Sequence, residues 1–382
     1  MASRAAGIEA GMDALDRWLG VRDKLLASQR FQRWAAAFPL TRLIARRRAR
    51  ALFDLCAGFV YSQVLLACVR LRVFDMLLEG PQTIVVLARR MSLSTDAAAR
   101  LLRAAASLRL VEPRGRERFG LGSLGAALVG NPAVVAMIEH HALLYADLQD
   151  PVALLRAERP DTALSRYWPY AGTAATSHDL SAERVAAYSA LMSVSQPLIA
   201  EDVLDAYPLG RHRSLLDIGG GEGTFLRAAA RRAPGLRMIL FDLPAVAARA
   251  QAQIAAAGLA ERAAVVGGDF LSDPLPQGAD IASLIRVLHD HDDASVLAIL
   301  RAARRALPET GTLLVAEPMS GTPGAEPIGD AYFGLYLLAM GRGRPRTPEE
   351  YDSLLRAAGF GRVAVMATRR PLLARVIVAN PV

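Results

Sequence analysis

The chain has 382 residues, of which 53% are hydrophobic and 21% charged; that excludes a disordered polymer and predicts two or three domains around a large core. Cys56 and Cys68 are the only cysteines, which excludes a disulfide-stapled secreted scaffold and a cysteine-based zinc site. The formal charge of +8 is concentrated at one end: residues 1–50 hold eleven Lys or Arg against four Asp or Glu, so the rest of the chain is close to neutral.

Residues 1–50 interleave this charge with Trp18, Leu19, Phe31, Trp34 and Phe38. Basic residues alternating with aromatic ones suit either a solvated helical extension or a helix lying on anionic lipid headgroups. The opening Met1-Ala2-Ser3-Arg4 runs into Glu9 and Asp13 without an apolar targeting core, so a cytoplasmic protein is expected. The next stretch, Ala51 to Leu71, is near the length that spans a bilayer. Asp54, Ser62, Gln63 and Arg70 inside it would be costly against lipid, and it reads as a buried helix of a dimer core.

Residues 51–195 form a mostly helical domain. Ile84 to Met91 is a short helix, and Ser94 and Thr95 are N-caps for another from Asp96 to Leu108. Val111 to Leu121, punctuated by Gly115 and Gly120, reads as a β-hairpin. Helix, turn, helix and wing form a winged-helix pattern, which alone suggests DNA binding. Only Arg100 and Arg103 on the second helix could meet phosphates, so nucleic acid is the lesser reading and a dimerisation platform the favoured one.

Residues 196–382 alternate strand and helix patterns. Strands are expected at Ser214–Ile218, Arg237–Asp242, Ala263–Gly267, Asp280–Val287 and Thr312–Ala316, with a terminal pair at Gly361–Ala367 and Leu373–Val378. This is an α/β domain with a Rossmann-like parallel sheet, whose ligands bind beyond the carboxyl ends of the strands. Asp217-Ile218-Gly219-Gly220-Gly221-Glu222-Gly223 follows the first strand. Its glycines let the backbone turn tightly and approach a ligand. Thr224 stands where a dinucleotide fingerprint needs a third glycine. Asp217 would repel a phosphate and suits a cation such as the amino group and sulfonium of S-adenosylmethionine. Asp242, followed by Leu243, ends the second strand where an acid takes ribose hydroxyls. Asp269 follows the third, placed for an adenine amino group with Phe270 against the ring. Each acid alone is more often a turn residue or cap; three at successive strand ends point to an adenosyl ligand.

A proton acceptor is expected at Leu288-His289-Asp290-His291-Asp292-Asp293, after the fourth strand. His289 is the candidate base, Glu317 at the end of the fifth strand the group that orients it, and Asp290 close enough to touch substrate. The run could also suggest a metal site, but neighbours on a turn point apart; no metal is expected, Asp292 and Asp293 read as caps of the helix Ala294–Leu307, and His291 as a bystander. His140, His141 and His178 read as surface or satisfied core histidines, the first two within possible reach of a substrate pocket.

Leu215 to Gly223, Asp242-Leu243-Pro244, Gly268-Asp269-Phe270, Arg286-Val287-Leu288-His289-Asp290 and Ala316-Glu317-Pro318 together resemble the small-molecule O-methyltransferases of the acetylserotonin and caffeate type. The resemblance covers residues 51–382. It implies a homodimer with a winged-helix-like N-terminal domain, S-adenosylmethionine bound by Gly219, Asp242, Asp269 and Phe270, and His289 as base beside Glu317; Asp217, Gly221, Leu243 and Arg286 are further candidates to bind it. Pro345, in Gly343-Arg344-Pro345-Arg346-Thr347, stands where plant members carry a second orienting Glu.

Ser28-Gln29-Arg30-Phe31-Gln32-Arg33-Trp34, Phe38-Pro39-Leu40-Thr41-Arg42, and Ala45-Arg46-Arg47-Arg48 running into Ala57-Gly58-Phe59-Val60-Tyr61-Ser62-Gln63 resemble, more narrowly, the carotenoid O-methyltransferases of purple phototrophic bacteria. That implies a lipophilic substrate, the tertiary hydroxyl of an acyclic hydroxycarotenoid such as demethylspheroidene or hydroxyneurosporene. The basic amphipathic extension is what collecting such a substrate from a membrane requires, so peripheral contact with the inner or photosynthetic membrane through residues 1–50 is expected beside a cytoplasmic location. Tyr145, Trp168, Met192, Phe333, Tyr336 and Met340 are candidates to line an apolar pocket, with core packing as the alternative for each. An O-methyltransferase for a soluble phenol or polyketide, a tetrapyrrole C-methyltransferase and a winged-helix regulator are the competing readings.

Overall fold

The computed structural model describes residues 2–158, 161–167, 192 and 196–382. It contains two compact units, residues 1–126 and 127–382. The candidate pocket residue Trp168, and His178, lie outside the described residues.

In the first unit, helices Ala2–Ala27 and Gln29–Ala37 lead into the long helix Arg42–Arg70, so the arginine run and the apolar run share one helix. By length and composition this helix could cross a membrane, and only 17% of its most apolar window is buried within the chain. The winged-helix module follows. Ser94 caps the helix Thr95–Ser107, its hydroxyl accepting from Ala97 N at 3.2 Å, as its sequence signature required. Strands β1 (Gln82–Thr83), β2 (Val111–Pro113) and β3 (Arg118–Leu121) form a small antiparallel sheet in the order β1-β3-β2. Ala98, Leu102 and Ala105 recur at helical spacing and, with Leu87 from the helix Ile84–Arg90, fill this module's core.

The second unit is built on seven strands: β4 (Ser214–Ile218), β5 (Arg237–Asp242), β6 (Ala263–Gly267), β7 (Ile281–Ile285), β8 (Thr312–Glu317), β9 (Phe360–Met366) and β10 (Arg375–Pro381). Their order is β6-β5-β4-β7-β8-β10-β9, with β4 to β8 parallel and β10 antiparallel to both neighbours. Strands β7 and β8 are buried along their whole length and read as nearly continuous apolar runs, because helices cover both faces of a parallel sheet. One face packs Phe225, Leu226 and Ile254 against Leu215 and Leu240, the other Ile299, Leu300 and Leu355 against Leu284 and Val315. The sheet therefore holds the carboxyl ends of β4, β5, β7 and β8 in one row.

A helical layer completes this unit. The helix Pro132–Asp147 is joined to the helix Ala163–Tyr167 by the Asp147 carboxylate, which accepts from Ala163 N at 2.7 Å and Leu164 N at 2.9 Å. Leu144, Leu154 and Leu164 pack against Leu337 and Met340 from the helix Gly334–Met340. That helix is preceded by a π-helical segment, Pro327–Phe333, a wide-turn geometry often found at functional sites.

Candidate active site

The glycine turn after β4 adopts left-handed backbone at Gly219 (φ 68°), Gly221 (φ 57°) and Gly223 (φ 78°), which only glycine takes without strain. A side chain at Gly219 would strike Val287, whereas one at Gly221 would meet nothing within 4 Å among the described residues. The Asp242 carboxylate ties this turn to the end of β5, accepting from Gly221 N at 2.8 Å and Leu243 N at 2.7 Å. Desolvation pushes Asp242 up to about 6, against the two backbone hydrogen bonds that lower it. Asp217 is almost fully buried; one of its oxygens accepts from Ser283 Oγ at 2.6 Å, and the other has no partner among the described residues. Desolvation carries it up to about 7, with the neighbouring Asp242 charge adding to the rise. Two desolvated carboxyls beside three successive glycines, Gly219 to Gly221, make an acceptor set suited to a cation and hydroxyls, so these residues fit S-adenosylmethionine.

Asp269 is half-buried beyond β6. One of its carboxylate oxygens accepts from Leu271 N at 2.9 Å, the turn-forming bond typical of such a residue. Phe270 lies edge-on to His291, ring centroids 5.4 Å apart. Arg286 has left-handed backbone (φ 59°), and its N–H donates to Ala316 O at 2.8 Å. Strain of this kind in a non-glycine residue at a strand end is common beside functional sites.

His289 lies in the turn after β7 and is 4% exposed. Its Nδ1 bonds Glu317 Oε2, and its Nε2 is 3.1 Å from Asp290 Oδ1. Glu317 is fully buried at the end of β8; its Oε1 accepts from Val287 N at 3.0 Å and Leu288 N at 2.7 Å. One carboxylate thus fixes both the imidazole and the turn that carries it. Burial lowers the His289 pKa, but the charges of Asp290 and Glu317 overcome that and leave it above the ordinary 6.5. Asp290 is itself raised, chiefly by burial.

A further support was not legible as such in the sequence. Arg346 is fully buried and donates to Leu288 O at 3.0 Å, His291 O at 2.7 Å and Asp293 Oδ1 at 2.8 Å. Arg344 N donates to His289 O at 3.0 Å, and at Gly343 (φ 80°) a Cβ would fall 2.1 Å from that same carbonyl. The segment around Pro345 therefore clamps the back of the His289 turn, while Asp290 faces Nε2. The rest of the acidic run disperses: Asp292 caps the helix Asp293–Ala306 by accepting from Ser295 N at 2.8 Å, and Asp293 pairs with Arg344 and Arg346. Among the described residues no three His, Cys, Asp or Glu are placed to hold a metal ion.

Rings extend from the His289 side toward the helical layer. Phe333 lies edge-on to His289, centroids 6.2 Å apart, and Tyr332 edge-on to Phe333 at 5.0 Å. Tyr332 OH is 2.7 Å from His141 Nε2, and Tyr336 OH is 2.7 Å from His140 Nε2. Burial drives His140 down to about 4, with the His141 charge a lesser cause, and it lowers His141 as well. Tyr145 reaches His141 edge-on at 6.4 Å. Of the other expected pocket residues, Met340 is buried in the aliphatic cluster and Met192 is half-buried on helical backbone.

A mostly parallel sheet ending in an antiparallel pair, with a glycine turn after its first strand and a helical winged module, is the fold of the S-adenosylmethionine-dependent methyltransferases. The chain belongs to the O-methyltransferase family: residues 145–361 match the model of the O-methyltransferase domain and residues 53–131 that of the O-methyltransferase dimerisation domain. It is 44% identical to the demethylspheroidene O-methyltransferase of Cereibacter sphaeroides over 94% of either chain. The enzyme of that name from Rhodobacter capsulatus is 40% identical over 94% of this chain and 88% of its own. Human N-acetylserotonin methyltransferase in complex with SAM superimposes with a TM-score of 0.72 at 26% identity, covering 87% of this chain and 97% of that one.

Proposed function

We propose that this enzyme transfers a methyl group from S-adenosylmethionine to the tertiary hydroxyl of an acyclic hydroxycarotenoid of the demethylspheroidene type. The observation that carries the substrate reading is the 44% identity to a demethylspheroidene O-methyltransferase, sustained over 94% of both chains. The row of half-buried rings beside His289, Phe333, Tyr332 and Tyr336, supports an apolar substrate. With each imidazole on that side bonded to a phenol, ring surface is what remains for a polyene.

Asp217, Asp242 and the turn Gly219–Gly223 would hold the methyl donor, with Leu243, Asp269, Phe270 and Arg286 around it. Bound S-adenosylmethionine supplies an electrophilic methyl on a sulfonium. The chain's own part is to hold the hydroxyl in line and take its proton. A tertiary alcohol is far too weak an acid to ionise beforehand, so His289 Nε2 accepts the proton as the new carbon–oxygen bond forms. Glu317 keeps Nδ1 protonated and leaves Nε2 as the acceptor, which the hydroxyl reaches as Asp290 yields its place 3.1 Å from Nε2, and both carboxylates stabilise the imidazolium that results. Arg346 and Arg344 hold the turn in place without touching the reacting atoms.

The match of residues 53–131 to a dimerisation domain supports a homodimer. The exposed Leu52, Leu55 and Phe59 on the helix Arg42–Arg70, with Leu55 81% exposed, are apolar surface that a second copy would cover. The test is incubation of purified protein with S-adenosylmethionine and detergent-dispersed hydroxycarotenoid, beside a panel of phenols. One added methyl on the carotenoid, read by mass, is the expected result; methylation of the phenols alone overturns the substrate reading.

A further inference from the structure

The first fifty residues carry charge and apolar surface that methyl transfer does not use. Their helices are tied to one another: Gln32 Nε2 donates to Leu26 O at 2.8 Å, and Thr41 Oγ1 donates to Ala35 O at 2.8 Å. On the helix Ala2–Ala27, Leu15, Trp18, Val21 and Leu25 recur at helical spacing and are all exposed, Trp18 at 62%. On the helix Gln29–Ala37, Ala35 is buried while Trp34 remains exposed between Phe31 and Phe38, ring centroids 5.6 and 5.0 Å away. Leu40, Leu43 and Ile44, which follow in the chain, are exposed as well, Leu40 at 80%.

Guanidinium groups stand among these side chains. Arg30, Arg33, Arg42, Arg46, Arg47 and Arg48 are exposed, and among the described residues none forms an ion pair. Indole and aliphatic groups interleaved with unneutralised arginines are what the boundary between headgroups and acyl chains selects. A second copy seated on this surface would bring two sets of arginines together, an unfavourable pairing. The dimerisation domain match, moreover, begins only at residue 53.

We propose that residues 15–50 dock this enzyme on a bilayer rich in anionic lipid, the apolar side chains entering the interface and the arginines meeting lipid phosphates. Docking would bring the site to the phase in which a carotenoid dissolves. The inference deepens the proposed substrate reading, but its test needs no turnover, so either can fail without the other.

The full chain is sedimented with vesicles of phosphatidylglycerol and phosphatidylcholine, and with vesicles of phosphatidylcholine alone. Strong binding to the anionic vesicles, weak binding to the neutral ones and release by added salt are expected. Reversing three charges with Arg46→Glu, Arg47→Glu and Arg48→Glu, all exposed, should weaken binding at least about tenfold. Trp18→Ser and Trp34→Ser should weaken it too and abolish the quenching of tryptophan emission by brominated lipid. Donor binding, measured on each variant, checks that the fold is kept. Equal binding to both vesicle types, binding unchanged by charge reversal, or assembly beyond a dimer that the tryptophan substitutions dissolve would each overturn the proposal.

Discussion

Two groups of side chains in the second unit use imidazole in opposite ways. His289 is wedged between Glu317 and Asp290, and the two carboxylates raise its pKa despite burial. His140 and His141 are bonded to the phenols of Tyr336 and Tyr332, which carry no charge, and burial drives both pKa values down, His140 to about 4. The lesson is that burial alone makes a histidine inert. A buried imidazole becomes a proton acceptor only when a fixed carboxylate stabilises the charge it takes up, and Glu317 is fixed by two backbone N–H groups as well.

The contrast can be broken by substitution. His289→Ala should lower kcat by about 10²- to 10⁴-fold while leaving donor affinity unchanged, read by turnover beside calorimetry. Glu317→Gln should cost on the order of 10²-fold or more, because the imidazolium loses its counter-charge. It should also shift the pH profile. The wild-type rate rises as His289 loses its proton, through a pKa above 6.5; removing a carboxylate that raises this pKa moves the rising limb to lower pH. Asp242→Ala should weaken donor binding about 10- to 100-fold, the scale of a charge-assisted hydrogen bond. Because Asp217 and Asp242 lie near 7 and 6 before the donor binds, affinity for the cationic donor should increase between pH 5.5 and 7.5 as they ionise; a flat dependence would remove them from the contact.

The smallest effects belong to the other pair. Tyr332→Phe leaves His141 without its phenol and should cost about 1–3 kcal/mol of stability, seen as a lowered Tm, with kcat changed by no more than a few-fold. His140 has its own signature in acid. The folded form takes its proton near pH 4 and the unfolded chain near 6.5, so unfolding binds a proton between these values. The stability that His140 confers is therefore present above pH 6.5 and lost as pH falls toward 4, an effect that a urea titration series at several pH values would measure in His140→Phe against wild type.

Much of the architecture could be read from local pattern. The strands β4, β5, β6 and β8 fall where apolar runs end in glycine or acid, β7 is an apolar run that ends at Arg286, and the Ser94 and Asp292 caps stand where short polar side chains precede apolar periodicity. His289, Glu317 and Asp290 could be grouped because they follow neighbouring strands, and the sheet register sets them side by side. What stayed hidden depends on partners distant in sequence. Arg346 has the look of a surface arginine until the fold buries it against three acceptors around the His289 turn. Met340 sits at a spacing that suits a pocket as well as a core, and its neighbours Leu144, Leu154 and Leu164 come from helices that no local pattern ties to it. The histidine–tyrosine bonds join a helix to a π-helical segment and the helix after it, and no local periodicity announces such a pairing.

The most direct test follows the methyl group and the donor together. Transfer of labelled methyl to a dispersed hydroxycarotenoid is measured for wild type and His289→Ala, with the donor dissociation constant of each. Transfer by the wild type, near-complete loss in the variant and the same dissociation constant for both are expected; full transfer by the variant would show that His289 does not take the proton.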